Sequence, residues 1–345
     1  MSQPLLPQPR VTGVNLLDNV ARIDDAGVDI YDRRAYPFEQ DWVHCDSVGD
    51  IARAIVGMVT QSHGPTVAAG YGMALAAREA TFAPNPLAVI ERGAAELIAT
   101  RPTNDSLRRI VIGILEECRL SSAISRERIA IEHVRRHVVK RQEIADRIGI
   151  HGARLFGGHT RLLTHCWAET GLSQIVLTAV SDGKTVEAFC PETRPYLQGS
   201  RLTADALRDA GAAVTVIPDT AVAYVISEGL VDLAISGSDR LTADGGVVNK
   251  IGTLGIATLA QRYGVPYYAI GTDVDRSAAS VADVQIELRD GREALQCLGI
   301  PTAARGVVGF YPAFDRTPPQ LVTGYITPDG VLLGSELRDW KGSGQ

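Results

Sequence analysis

The chain has 345 residues, of which 45% are hydrophobic and 21% charged, with a formal net charge of −6. That length accommodates two domains around buried cores, and the negative balance argues against a general nucleic-acid binder, which needs a basic face. No apolar run reaches membrane-spanning length and residues 1–10 lack the charged and apolar regions of a signal peptide, so the expectation is a cytoplasmic protein with no membrane partner.

Residues 1–10 read as a flexible, proline-rich tail. Residues 11–149 read as a mainly helical N-terminal domain with a small β element around Val28-Asp29-Ile30-Tyr31. Apolar residues recur at three and four positions through 51–58, 68–80, 86–99, 104–120 and 121–148. Ser62-His63-Gly64-Pro65 stands before the alanine- and glycine-rich second segment, whose small residues allow close backbone approach. Arg101 stands just before the fourth. In the last segment His133 and His137 are spaced to share a helical face. Their order is not that of a zinc peptidase, however, and Arg135 and Arg136 between them would repel a cation, so no metal site is expected.

From 150 to 340 the period changes. Apolar runs at 161–165, 174–180, 213–217, 231–235, 266–270, 284–288 and 321–326 alternate with helix-like stretches at 202–210, 221–228 and 255–263. This is the pattern of βαβ units and a mostly parallel, doubly wound sheet. The five cysteines (Cys45, Cys118, Cys166, Cys190 and Cys297) are scattered and form no C-x-x-C pair, which suits reduced thiols in a cytosolic chain.

Three motifs sit at the carboxyl ends of expected strands, where open α/β sheets bind ligands. In the first, Leu163-Thr164-His165-Cys166, the cysteine is either a base or nucleophile with a lowered pKa or a buried inert thiol. His165 points away from it if both lie in the strand, because side chains alternate. In the second, Glu192-Thr193-Arg194-Pro195 runs on to Leu197-Gln198-Gly199-Ser200-Arg201, a set suited to anions and hydroxyls. In the third, the run 231–235 ends in Ser236-Gly237-Ser238-Asp239, and Asn249-Lys250 follows ten residues later. Asp239 is there a site carboxyl or a helix cap, and Lys250 a ligand or a solvated charge.

The order and wording of these motifs resemble the methylthioribose-1-phosphate isomerases, the enzyme branch of the superfamily that also holds the regulatory subunits of initiation factor 2B. The resemblance spans about residues 14 to 338. It is carried by Tyr71-Gly72-Met73-Ala74, Arg101-Pro102-Thr103-Asn104, Leu163-Thr164-His165-Cys166, Gln198-Gly199-Ser200-Arg201-Leu202-Thr203, Gly237-Ser238-Asp239-Arg240, Asn249-Lys250-Ile251-Gly252-Thr253 and Tyr311-Pro312-Ala313-Phe314-Asp315. It implies a mainly helical N-terminal domain followed by a Rossmann-like domain, a homodimer, and no cofactor or metal. It also implies catalysis by Cys166 and Asp239, with Arg101, Gln198, Asn249 and Lys250 on the sugar phosphate and His63 and Gly64 beside it. Two departures stand out. The family's Arg-Gly-Ala-Pro is replaced by Ser62-His63-Gly64-Pro65, without the arginine, and the Asn-Ala-Gly after the cysteine is replaced by Trp167-Ala168-Glu169. Three functions are therefore carried forward: isomerisation of a 5-substituted ribose 1-phosphate, isomerisation of another sugar phosphate, and a non-catalytic regulatory role.

Overall fold

The computed structural model describes residues 20–102 and 104–342; the expected tail at 1–10 and Thr103 of the Arg101 motif lie outside them. The described residues fall into two compact units that meet between Arg135 and Arg136, within a helix.

In the first unit β1 (Ala21–Ile23), β2 (Val28–Tyr31) and β3 (Trp42–Cys45) form an antiparallel sheet. Four helices follow: α1 (Val48–Val56), α2 (Gly64–Ala80), α3 (Pro86–Ala99) and α4 (Asp105–Arg119). Their starts obey capping chemistry. Ser47 and Asp50 make a reciprocal box on α1, and the Asn85 and Asn104 side chains accept from Ala88 N and Leu107 N. Helix α2 is buried on nearly every side because its residues are small. A methyl added at Gly70 would lie 2.5 Å from Val134 Cγ2. Helix α5 (Arg126–Ala153) spans the division between the units.

The second unit alternates β4 (His159–His165), α6 (Glu169–Ser181), β5 (Thr185–Pro191), α7 (Ala204–Asp209), β6 (Ala213–Ile217), α8 (Val222–Ser227) and β7 (Leu233–Ser236). After β8 (Arg240–Leu241) and β9 (Val247–Lys250) come α9 (Thr253–Tyr263) and β10 (Tyr267–Ile270). An excursion then carries the short strands β11 (Leu288–Arg289), β12 (Gln296–Cys297), β13 (Ile300–Pro301), β14 (Tyr311–Pro312) and β15 (Phe314–Thr317). The chain returns as β16 (Gly324–Thr327), β17 (Gly330–Leu332) and α10 (Gly334–Asp339).

The main sheet runs β17-β16-β10-β7-β4-β5-β6, parallel throughout except for β17. Without that edge strand it is the Rossmann-type order, which reverses direction between β4 and β7. Successive β4 residues feed opposite faces. Leu162 packs with Ile175, Val176 and Leu207 of α6 and α7, and Leu163 with Val222, Val225 and Ile256 of α8 and α9.

Two expected strands are corrected. Residues 174–180 belong to α6: Leu172, Ile175, Val176 and Ala179 form one buried helical stripe, which outweighs the β-branched run. Residues 284–288 are not a strand of the main sheet, since only Leu288 enters β11, which pairs with β14 outside it. Strand β5, which no expectation covered, fills the place vacated by 174–180 between β4 and β6.

Candidate active site

The reversal between β4 and β7 brings two loops together. His165 and Ser236 are register partners at the strand ends. Beyond them the loops pack so closely that a methyl on Gly237 would sit 3.3 Å from Ala168 Cα. Cys166 leaves the first loop and Asp239 the second. Asp239 N donates to Val248 O at 3.0 Å, which lays the carboxylate residue alongside β9, the strand that ends in Asn249 and Lys250.

Cys166 is held on both sides of its backbone. Its φ is 59°, a left-handed conformation that strains a non-glycine residue and that surrounding contacts must fix. Its amide donates to Thr193 Oγ1 at 3.1 Å, and Thr203 Oγ1 donates to its carbonyl. Thr193 is itself left-handed, with φ 62°, and Asp219 accepts from Thr193 N and Arg194 N at 2.7 Å each. Thr203 ends a π-helical turn, Gly199–Thr203, that runs into α7. Gly199 is required there, because an added methyl would lie 1.7 Å from Pro191 O.

Cys166 as a residue is 9% exposed. Burial pushes its pKa above the ordinary thiol value, while the Lys250 charge, the Trp167 amide and the Arg289 charge pull it back. Lys250 is 5% exposed and is pushed down by burial, with Cys166 and Asp239 opposing. Its ammonium lies 4.9 Å from the Phe314 ring centroid and 5.8 Å from that of Tyr311, with no carboxylate paired to it among the described residues. Asp239 is raised by the protein packed around it, against the Arg240 and Lys250 charges. The direction is the one an acid catalyst needs, but the carboxyl opens to solvent rather than lying in a closed apolar pocket, and water moderates the rise.

Gln198 is 4% exposed and its Oε1 is buried with no donor among the described residues, an acceptor waiting for a hydroxyl. Asn249 Nδ2 donates to Thr253 Oγ1 at 2.9 Å, which secures the start of α9. Asp315 accepts from Gly252 N and Leu254 N there, and burial lifts its carboxyl to about 6. His165 lies buried and is kept neutral by that burial. Its Nε2 donates to Ile251 O at 2.8 Å, tying the Cys166 loop to the residue after Lys250. Gly252, at φ 109°, makes room for this ring, since a methyl would lie 2.9 Å from His165 Cε1.

The two unusual residues after Cys166 part company. Trp167 is buried, with its indole N–H lacking an acceptor among the described residues. Glu169 turns to α5, where Arg141 pairs with it at 2.7 Å. In the N-terminal unit Gly64 opens α2 under Thr60, whose Oγ1 would be 1.7 Å from an added methyl. Gly64 N and Thr66 N donate to Gln61 O and His63 O, so these first amides are satisfied within the turn. Arg101 donates to Ile55 O at 3.1 Å and to the Met58 sulfur, bracing the end of α1.

Sequence reasoning missed Thr193, Thr203, Asp219 and Arg289. The two threonines stood inside quoted motifs, but only the fold shows that their hydroxyls grip Cys166. Among the described residues no group of three His, Cys, Asp or Glu side chains is placed to hold a metal ion, and no helix is long and apolar enough to cross a membrane.

A thiol, a carboxyl and an ammonium at the switch point of a doubly wound sheet define an α/β small-molecule site. The model of the initiation factor 2 subunit family matches residues 62–333. A methylthioribose-1-phosphate isomerase of Chloroflexus aurantiacus is 36% identical over 331 residues, covering 90% of this chain and 93% of its own. One from Pelotomaculum thermopropionicum is 34% identical over 336 residues, covering 92% and 91%. Among solved structures, translation initiation factor eIF-2B subunit delta from A. fulgidus superposes with TM-score 0.81 at 30% identity, covering 93% of this chain and 99% of that one. The 5-methylthioribose 1-phosphate isomerase from Pyrococcus horikoshii OT3 gives 0.79 at 30%, covering 91% and 92%. The chain belongs to the initiation factor 2 subunit family. Within it, the chain is a member of the methylthioribose-1-phosphate isomerase branch and is an enzyme of the aldose–ketose isomerase class.

Proposed function

We propose that the chain converts a 5-substituted ribose 1-phosphate, either methylthioribose 1-phosphate or a 5-deoxy or otherwise modified analogue, to the corresponding ribulose 1-phosphate. The observation that carries this reading is the set of Cys166, Asp239 and Lys250: three ionisable groups on neighbouring strand ends, none paired with an opposite charge among the described residues. The three related isomerases reported above support the substrate class.

A ribose 1-phosphate is locked as an acetal until its ring opens. Asp239 gives a proton to the ring oxygen as the C1–O bond breaks, which requires the neutral carboxyl that its surroundings favour. Cys166 removes the C2 proton, and the electron pair forms an enol between C1 and C2. Cys166 returns the proton to C1 while the C2 hydroxyl proton goes to Asp239, leaving a ketone at C2 and both residues as they began. Lys250, Gln198 and Asn249 hold phosphate and hydroxyls, as do Arg101, His63 and Gly64 of the N-terminal unit on the strength of the resemblance. The same reading makes the enzyme a cytoplasmic homodimer acting without cofactor, metal or nucleic acid.

One observation favours a second route. A buried thiol resists ionisation, which suits a direct hydride shift from C2 to C1 with Cys166 shaping the pocket. Turnover of methylthioribose 1-phosphate in deuterated water separates the two. Deuterium at C1 of the ketose marks proton transfer by Cys166, and its complete absence marks the hydride shift. Formation of no ketose phosphate from any 5-substituted ribose 1-phosphate would overturn the isomerase reading of the substrate.

A further inference from the structure

The site holds a second cation that the three-residue account leaves unused. Strand β11 pairs antiparallel with β14, placing Arg289 opposite Tyr311, and β15 pairs with β9, placing Phe314 opposite Lys250. Both cations therefore gather at the same aromatic ring: Arg289 Cζ lies 5.9 Å from the Phe314 centroid and Lys250 Nζ lies 4.9 Å from it. The Arg289 side chain is only 15% exposed. Its Nε donates to Glu287 Oε1 at 3.0 Å, but its two terminal nitrogens make no hydrogen bond to a carboxylate among the described residues.

Two like charges around one ring, both largely withdrawn from water, are costly unless anions compensate them. Glu287 compensates one of the two and is itself more than a third exposed. Asp239 adds no full charge while its carboxyl stays protonated, as the acid role requires. Glu293 acts on Arg289 and Cys166 on Lys250 through charge alone, and no carboxylate is paired with Lys250 among the described residues. We propose that Arg289 is a further substrate-binding residue of this enzyme, placing its terminal guanidinium nitrogens on the phosphate group jointly with Lys250; the inference rests on the sugar-phosphate reading of the site.

The chemistry suits the pair. A guanidinium offers a planar fork that matches two phosphate oxygens, whereas an ammonium acts as a point charge, so the two together fix both position and orientation. Phe314 lies against both cations and Tyr311 against Lys250, at cation–π distances. The Arg289 charge also acts on Cys166 and Asp239, pulling both pKa values down, as expected of a residue placed near both.

The test uses the full-length enzyme and inorganic phosphate as probe. Phosphate should slow alkylation of Cys166 by iodoacetamide and should inhibit isomerisation competitively. In Arg289→Gln the phosphate concentration giving half protection and the KM for the sugar phosphate should both rise about tenfold or more, with kcat changed less. Arg289→Lys, which keeps the charge, should recover part of that loss. Glu287→Gln should bind phosphate as well as or better than wild type, because it removes an anion. Both limbs of the pH–rate profile should move to higher pH in Arg289→Gln, because the removed cation held both pKa values down.

Unchanged phosphate protection in a folded Arg289→Gln enzyme would overturn the proposal. So would a Glu287→Gln enzyme that reproduces the loss, since Arg289 would then merely brace its neighbour. Because alkylation needs no turnover, the readout stays valid if no ribose 1-phosphate is isomerised. Failure of the substrate reading and failure of the Arg289 assignment are thus told apart.

Discussion

Cys166 is a residue whose backbone is gripped more firmly than its sulfur. Thr193 and Thr203 fix its amide and its carbonyl, and the left-handed φ of 59° is what that grip maintains. Its thiol and the Asp239 carboxyl are both raised above their ordinary values, in each case chiefly by the surrounding protein. The form that reacts in the proton-transfer route has Asp239 protonated and Cys166 ionised. Its abundance climbs with pH up to the Asp239 pKa, stays level between the two, and falls above the Cys166 pKa. The expected kcat/KM profile is therefore a bell. Its acid limb should lie above the free-carboxylate value of about 4 and its alkaline limb above the free-thiol value of about 8.5. An acid limb at about 4 would show that Asp239 is an ordinary carboxylate and not the proton donor. The signs bear on stability too. Because both groups have raised pKa values in the folded chain, ionising either costs folding free energy as pH rises through those values.

At the scale of elements, the site depends on how tightly the loops after β4 and β5 are built. Gly199 marks the tightest point, its α-carbon under the Pro191 carbonyl where the π-turn begins. Gly199→Ala should cost about 3 kcal/mol through backbone collision, read as a fall in the denaturant midpoint. It should lower kcat as well, because the same turn carries Thr203 onto Cys166. A variant with unchanged stability and rate would remove the turn from the account. The strand-end positions of Cys166 and Asp239 were legible in the sequence because apolar runs stop visibly at polar residues, whereas β9, the short strand that carries Lys250, was not expected. Helix α6 was misread because Ile175, Val176 and Val180 look like a strand in isolation, and only the stripe they share with Leu172 and Ala179 separates the two periods. The grip of Thr193 and Thr203, and the reach of Arg289 from a two-residue strand in an irregular excursion, depend on contacts between distant residues that leave no local pattern. The question raised by Glu169 beside the thiol is answered by an equally distant partner, Arg141.

For the whole molecule, shape alone does not choose between an enzyme and a regulatory subunit, since the superpositions on an isomerase and on an initiation factor subunit are nearly equal, 0.79 and 0.81. The choice rests on the sequence relatives, and the proposed mechanism turns above all on Asp239, an exposed residue whose carboxyl is pushed toward its neutral form. Asp239→Asn keeps the size and polarity of the side chain but cannot deliver a proton. The most direct measurement is the rate of ketose 1-phosphate formation from methylthioribose 1-phosphate, followed by phosphorus NMR, for wild type and Asp239→Asn at matched thermal stability. The account predicts turnover by wild type and a loss of about a thousandfold or more in the variant, on the scale of general acid catalysis. An Asp239→Asn enzyme that isomerises the sugar phosphate at the wild-type rate would contradict it.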